Sequence, residues 1–389
     1  MAHDVIVLGL GAVGAAAAYQ LAKRGARVLG IDRHAPPHPF GSSHGGSRIT
    51  RLAVGEGAHY TPLVMRAHEI WREIEDATGA DLLCCNGGLV ISSRATNAVT
   101  HVAGFFDNTV AAARKFGIDH ELLDADEIRR RYPQFAVADE EFGYFEPSAG
   151  FLRPEMCVHS QLQLAQRHGA ALHPDETAVS IRSQAGAVAV ATDKARYEAA
   201  HLIVTAGAWT GDLLGAPFSR WLKVYRQVQF WFEPEESVTA FRPDRFPVFI
   251  WELPAGRRGI YGFPAMDGAT GGVKAASESF ERAISPDDPW RAIAPDEPAE
   301  MHRNCVAPYL RGVGPHCLKA TACLYTVTPD FGFLIATHPE DSRITIASAC
   351  SGHGFKHSAA VGEALAQMTF EGRARLDLSA FGPERFSGR

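Results

Sequence analysis

Between Asp4 and Asp32 the chain runs from a short apolar segment into a glycine-rich turn, a helix of small residues, and a second apolar segment that ends on an acid. Asp4-Val-Ile-Val-Leu-Gly9-Leu-Gly11-Ala-Val-Gly14 predicts a buried strand breaking into that turn. A helix is expected over Ala15 to Arg24 with Gly25 as its stop. Gly9 permits the tight turn, Gly11 lets backbone approach a pyrophosphate, and Gly14 lets the helix lie close on the sheet. The helix N-terminus offers free N–H groups and the positive end of its dipole to phosphates. Asp32 follows the third glycine at close to the ~20 residues expected of an acid that bonds a ribose hydroxyl. Strand, glycines, helix and acid together separate a dinucleotide site from a bare turn. They do not choose between NAD and FAD.

With 389 residues the chain suits two packed domains. Its hydrophobic fraction of 46% and charged fraction of 21% are those of a folded globular protein. A net charge of −6 argues against a general nucleic-acid binder and leaves room for a local basic pocket. The first apolar run, Val5 to Leu8, leads straight into glycines, so no cleavable leader is expected. No run approaches the roughly 18 apolar residues of a membrane helix. The seven cysteines, odd in number and without CxxC spacing, predict neither a metal site nor a disulfide framework, and a reducing cytoplasm is the expected location.

Further along, Gly41-Ser-Ser43-His44-Gly-Gly46-Ser-Arg48-Ile-Thr-Arg51 is a polar loop with two arginines. It either wraps an extended cofactor or lies solvated on the surface. Helices are expected over 60–79, 102–116, 124–131, 155–167 and 355–368. Strands are expected over 87–92, 188–192 with a return strand, 247–252, 259–263, 272–276 and 344–347. Val228, Phe230 and Phe232 alternate with Gln227, Gln229 and Trp231 as in a half-buried antiparallel strand. Leu202 to Trp209 is a second buried strand running into a glycine turn, where Ala206, Gly207 and Trp209 can approach a cofactor. Residues 285–298, rich in proline and acids, read as a connector. Dinucleotide-binding pattern at both ends and antiparallel pattern between them predict a mixed α/β fold. It comprises a discontinuous Rossmann-like cofactor domain (1–86, 148–217 and 318–389) and an interrupting antiparallel-sheet substrate domain (87–147 and 218–317).

Four strings carry a resemblance: Ser43-His44-Gly45 with Arg48 and Arg51; Tyr261-Gly-Phe-Pro264 with Lys274; Cys323-Leu-Tyr325-Thr-Val-Thr-Pro329-Asp330; and Ser351-Gly-His-Gly-Phe-Lys356. Through them the chain resembles, over nearly its full length, the monomeric sarcosine oxidase and N-methyltryptophan oxidase family of flavoproteins. The resemblance implies FAD, bound by Gly9, Gly11, Gly14, Asp32, Ser43, His44, Ala206, Gly207, Trp209, Gly352, Gly354 and Phe355, and tethered by a thioether to Cys323. For Cys323 the plain alternative is a buried inert thiol.

By the same resemblance Lys274 stands beside the flavin to promote reaction with oxygen. A fixed cation in a dry pocket stabilises the negative charge that develops there. An arbitrary lysine on a strand is more often at the surface. Arg51 and Lys356 match the pair that binds the substrate carboxylate. Arg48 matches an arginine near the flavin, and Tyr261 and Tyr325 are expected to line the pocket. His353 matches a histidine positioning substrate or flavin, or else it is a loop histidine bonded to backbone. The helix after Gly354 is expected to aim its N-terminus at the pyrimidine end of the flavin.

Three departures fall where side-chain specificity is decided. The stretch from Tyr261 to Lys274 is lengthened, Trp251 to Arg258 is enlarged, and Glu278 replaces the family's usual histidine. The implied activity is FAD-dependent oxidation of a secondary or N-methylated amino acid by a monomer, with O2 reduced to hydrogen peroxide. Its rivals are an amino-acid dehydrogenase with another electron acceptor and an NAD-dependent oxidoreductase.

Overall fold

The computed structural model describes residues 3–93, 102–253 and 259–386. The stretch Pro254 to Arg258, part of the enlargement read from the sequence, lies outside the described residues.

The first strand, His3–Leu8, is flanked on one side by Val28–Ile31 and on the other by Arg196–Val204, all parallel. Val5, Ile6, Val7 and Leu8 are each buried, as a parallel strand covered on both faces requires. Arg196–Val204 has a divided outer edge. Its first half pairs antiparallel with Ala187–Thr192, and its second half pairs parallel with Asp341–Ser348 from the far end of the chain. Ala178–Gln184, Ala171–His173 and Leu334–His338 complete this eight-stranded sheet.

The helix Ala12–Lys23 packs on the first sheet and against Pro154–Arg167 and Ser358–Glu371. Ala15 to Ala18 are wholly buried in these contacts. Gly362 is required at the crossing, since a Cβ there would stand 2.3 Å from the Cβ of Ala16. The C-terminal helix starts later than expected. Phe355–His357 forms a 3-10 turn before Ser358–Glu371, and Gly354 is packed so that a Cβ would meet the Ala349 carbonyl at 1.8 Å. The helix expected from Val102 begins at Phe105, because Gly104 takes a left-handed φ of 68°.

The second large sheet runs in the order Val313–Val327, Lys223–Pro234, Val273–Ser277, Ile260–Phe263, Val248–Trp251, Gly88–Ser93, Glu141–Glu146, Glu121–Asp124. It is antiparallel apart from Val248–Trp251 beside Gly88–Ser93, which is parallel. Residues 318–327, grouped by sequence with the cofactor domain, pair here instead with Lys223–Pro234. A small sheet of Arg48–Thr50, Gly150–Leu152 and Leu83–Cys84 bridges the two.

Register decides what faces the first sheet. Cys323 lies opposite Gln227, Tyr325 opposite Tyr225, and Lys274 opposite both Trp231 and Phe263, while Tyr261 lies opposite Ala276. Because side chains alternate along a strand, Cys323, Tyr325, Gln229, Lys274 and Tyr261 all share one face. The other face puts Phe230, Phe232 and Ala275 into an apolar core with Ile128 and Phe135. Among the described residues, no helix is long and apolar enough to cross a membrane, and no group of three or more His, Cys, Asp or Glu is placed to hold a metal ion.

Candidate active site

A single cavity of about 1040 Å³ runs from the glycine turn to the polar face of the second sheet. At its first end Gly9 adopts a φ of 87°, and a Cβ there would overlap the Thr205 carbonyl at 2.5 Å. Thr205 Oγ1 donates to the carbonyls of Leu8 and Gly9, fixing the turn. Asp32 accepts from the backbone N–H groups of Leu10 at 2.6 Å and His34 at 3.0 Å, and still lines the cavity. Gly14 has the packing role read from the sequence: a Cβ there would lie 1.7 Å from the Gly9 carbonyl oxygen. It does not line the cavity, which Gly9, Gly11, Ser43, Ala206, Gly207 and Trp209 do.

The arginine-bearing loop is folded inward rather than solvated. Ser43 Oγ accepts from Ala12 N–H at 3.2 Å, placing this loop on the first turn of the helix. Ser42 Oγ donates to the Leu324 carbonyl, beside Cys323. Glu155 accepts from Gly45 N–H at 2.6 Å and Gly46 N–H at 3.1 Å. Arg48 donates to the carbonyls of Ser42 and Ser47, both at 2.7 Å. His44 is buried outside the cavity lining, and burial with Arg48 nearby lowers its pKa to about 4.

Lys274 is 1% exposed, so it is no surface lysine. Its Nζ donates to Gly45 O at 2.8 Å and to Ser47 O and Ser47 Oγ at 3.1 Å, and it faces the Phe263 and Trp231 rings. Burial and the Arg48 guanidinium push its pKa well down. The three acceptors and two ring faces favour the charged form. Cys323 is fully buried with Gln229 donating to its Sγ at 3.4 Å, and burial pushes its thiol pKa up. It sits behind the lining rather than in it. The Tyr261 and Tyr325 hydroxyls meet at 3.2 Å, one donating to the other, and burial raises both pKa values, so both remain protonated at neutral pH.

Arg51 and Lys356 come together at the other wall, with an acid the sequence reading did not single out. Glu56, its side chain 4% exposed, accepts from Arg51 Nη2 at 2.6 Å and lies 3.7 Å from Lys356 Nζ and 3.9 Å from His353 Nδ1. Arg51 also donates to Ala53 O at 2.5 Å and rests on the Phe105 ring. Lys356 donates to the His353 carbonyl at 2.9 Å; burial lowers its pKa to about 8, with Glu56 opposing the fall. His353 Nε2 meets the Phe331 carbonyl at 3.1 Å, as the backbone-bonded alternative required, yet the ring lines the cavity. Gly352, Gly354 and Phe355 line it as well.

The cavity therefore joins the glycine turn of a dinucleotide-binding fold to a pocket of buried cations and phenols. Residues 4–368 match the family described as FAD dependent oxidoreductase. The chain is 39% identical over 391 residues to the monomeric sarcosine oxidase of Streptomyces avermitilis, covering 99% of this chain and 98% of that one. It is 34% identical over 387 residues to the N-methyl-L-tryptophan oxidase of Yersinia pestis, covering 99% and 100% respectively. In fold it is similar to NikD, an unusual amino acid oxidase essential for nikkomycin biosynthesis, with a TM-score of 0.82, 24% identity and coverage of 98% and 97%. The L-proline dehydrogenase of P. horikoshii gives a TM-score of 0.80 at 20% identity, with coverage of 99% and 98%. The chain belongs to the FAD dependent oxidoreductase family, within its sarcosine oxidase and N-methyltryptophan oxidase branch.

Proposed function

We propose that the protein oxidises a secondary or N-methylated amino acid at the C–H beside nitrogen, with O2 as the electron acceptor. The observation that carries this reading is the placing of Arg51, Lys356, Tyr261, Tyr325 and Lys274 around one cavity continuous with the dinucleotide cradle. The residues fit FAD: Gly9, Gly11 and Asp32 line the cavity at the glycine turn, where they would hold the dinucleotide, and the cavity continues to the polar sheet face. FAD held there would supply the acceptor for the hydride equivalent and the route of its electrons to O2.

The chain's own groups do the rest. Arg51 and Lys356 grip the substrate carboxylate, which takes the place Glu56 fills in the structure. That grip holds the reacting C–H in one orientation and turns a bimolecular encounter into a positioned one. The Tyr261 and Tyr325 hydroxyls bond each other at the pocket wall, which leaves one phenolic O–H to donate to the substrate. Lys274 provides a fixed positive charge where negative charge develops on oxygen. Cys323, buried behind the cavity wall next to the anchored Ser42 loop, would be the residue that holds the flavin covalently, and the imine product hydrolyses in water.

The test is anaerobic mixing with a panel of N-methyl amino acids, followed by peroxide measurement in air. The reading expects the yellow absorbance to bleach anaerobically and one peroxide to form per amine consumed. Bleaching without peroxide, with electrons passing only to a dye, would make the protein a dehydrogenase. No bleaching by any amine would reject amine oxidation.

A further inference from the structure

Resting on the covalent-attachment reading above, we infer that Gln229 readies Cys323 for joining to the flavin, its side-chain amide holding the sulfur in the ionised form that makes the bond. Gln227 and Gln229 stand on one face of the strand Lys223–Pro234, the face shared with Cys323 and Lys274. Gln227, directly opposite Cys323, is committed to Ser279: its Nε2 donates to the Ser279 carbonyl at 2.6 Å and its Oε1 accepts from the Ser279 N–H at 2.9 Å. Gln229, 2% exposed, donates from Nε2 to Cys323 Sγ at 3.4 Å. Among the described residues its Oε1 has no hydrogen-bond partner. That oxygen lies against Gly45, where φ is 99° and a Cβ would meet it at 2.5 Å. The Gly45 backbone is itself fixed, its N–H donating to Glu155 and its carbonyl accepting from Lys274 Nζ. An amide wedged against that loop keeps its N–H donor on the sulfur. Gln229 also lines the cavity, so Sγ lies one hydrogen bond behind the wall.

A thiol is a poor nucleophile until it loses its proton. Burial opposes that loss at Cys323, as does Cys350, while Arg48 and Lys274 favour it. The Tyr261 and Tyr325 phenols face the same sulfur. Of these groups and Gln229, the amide is the one that donates directly to Sγ. A hydrogen bond to a charged acceptor is stronger than one to a neutral acceptor, so this contact favours thiolate over thiol. In the joining step one S–H and one C–H bond break and one S–C bond forms. The two electrons pass through the flavin to O2, which leaves with both protons as hydrogen peroxide.

The test gives FAD in air to the full-length protein prepared without flavin, as wild type, Gln229→Leu and Gln229→Glu. Three quantities are read: FAD taken up on mixing, the rate at which yellow colour becomes fixed to acid-precipitated protein, and the pH dependence of that rate. The wild type is expected to fix its colour with one peroxide released per flavin attached. Gln229→Leu should take up FAD comparably yet fix it roughly 10-fold or more slowly, with the pH midpoint moved up by about one unit, the scale of one hydrogen bond to a charged group. Gln229→Glu, of the same shape, should be slowed at least as much, because a carboxylate offers no N–H and repels a thiolate. Fixing in Gln229→Leu as fast as in the wild type, or faster, overturns the inference. So does wild-type speed in Gln229→Glu, which would make this side chain an acceptor for the thiol proton. Slower fixing with an unmoved pH midpoint in Gln229→Leu also overturns it, since the amide then serves packing alone. If Gln229→Leu takes up no FAD, the rate in Gln229→Glu decides. Wild-type protein that fixes no colour removes the covalent-attachment reading and this inference with it, while amine oxidation stands.

Discussion

Arg51, Glu56 and Lys356 form a buried triad in which two cations share one internal carboxylate. Removing Arg51 leaves Glu56 and the Ala53 carbonyl short of a buried donor, with Lys356 alone balancing Glu56. Arg51→Ala is therefore expected to raise KM for a carboxylate substrate about 10- to 100-fold and to lower stability by about 1–3 kcal/mol. Adding Glu56→Gln to that variant takes away the carboxylate beside the buried Lys356 ammonium and should lower stability further in a melting experiment. An unchanged KM in Arg51→Ala would mean that the carboxylate binds elsewhere. Lys356 adds a pH dependence of known sign. Its ammonium is destabilised by burial to a pKa of about 8, so the free enzyme loses this cation as pH rises through that value. Since kcat/KM reports the free enzyme, its ratio to that of Lys356→Arg should fall above about pH 8, arginine remaining charged throughout. A pH-independent ratio would mean Lys356 does not bind the acid. Arg51 and Lys356 were legible only through resemblance, and Glu56 was not legible at all. Its role comes from burial beside two cations, one five residues away and the other 300 residues away, which no local pattern encodes.

Among the elements, the first two strands and their helix were readable because every part of the signal is contiguous: apolar run, glycines, small residues, acid. The strand Val313–Val327 escaped because its first half is largely exposed and polar, and only Ala322 to Val327 is continuously buried. Ala178–Gln184 escaped for a related reason: it is an outer strand with no fully buried residue. That missed long strand carries Cys323 and Tyr325, and its pairing with Lys223–Pro234 brings both onto the face of Lys274. Cys323→Ser should thus abolish covalent flavin while leaving the strand intact. Acid precipitation is the check, and wild-type protein that releases all its yellow colour would reject the tether. Helix packing makes a separate prediction. Gly362→Val forces side-chain atoms into Ala16 and should cost about 1–3 kcal/mol, read as a lower Tm. An unchanged Tm would show that the two helices move apart at little cost.

The whole molecule is two large sheets with one long cavity between a phosphate-binding turn and a polar sheet face. The first sheet is closed by a strand from the C-terminal region, so the Ser351 to Lys356 loop returns to the same cavity as the glycine turn. Segments far apart in sequence thereby line one cavity, and the intervening sheet supplies Lys274. The central claim is that this cavity oxidises an amine at one wall and reduces oxygen beside Lys274. Rapid-mixing measurement of the two half-reactions in the wild type and Lys274→Met tests it most directly. The account predicts that anaerobic flavin reduction by an N-methyl amino acid changes little, while reoxidation by O2 slows by about 100-fold or more, the scale of losing one preorganised charge. Reoxidation at the wild-type rate in Lys274→Met would contradict it.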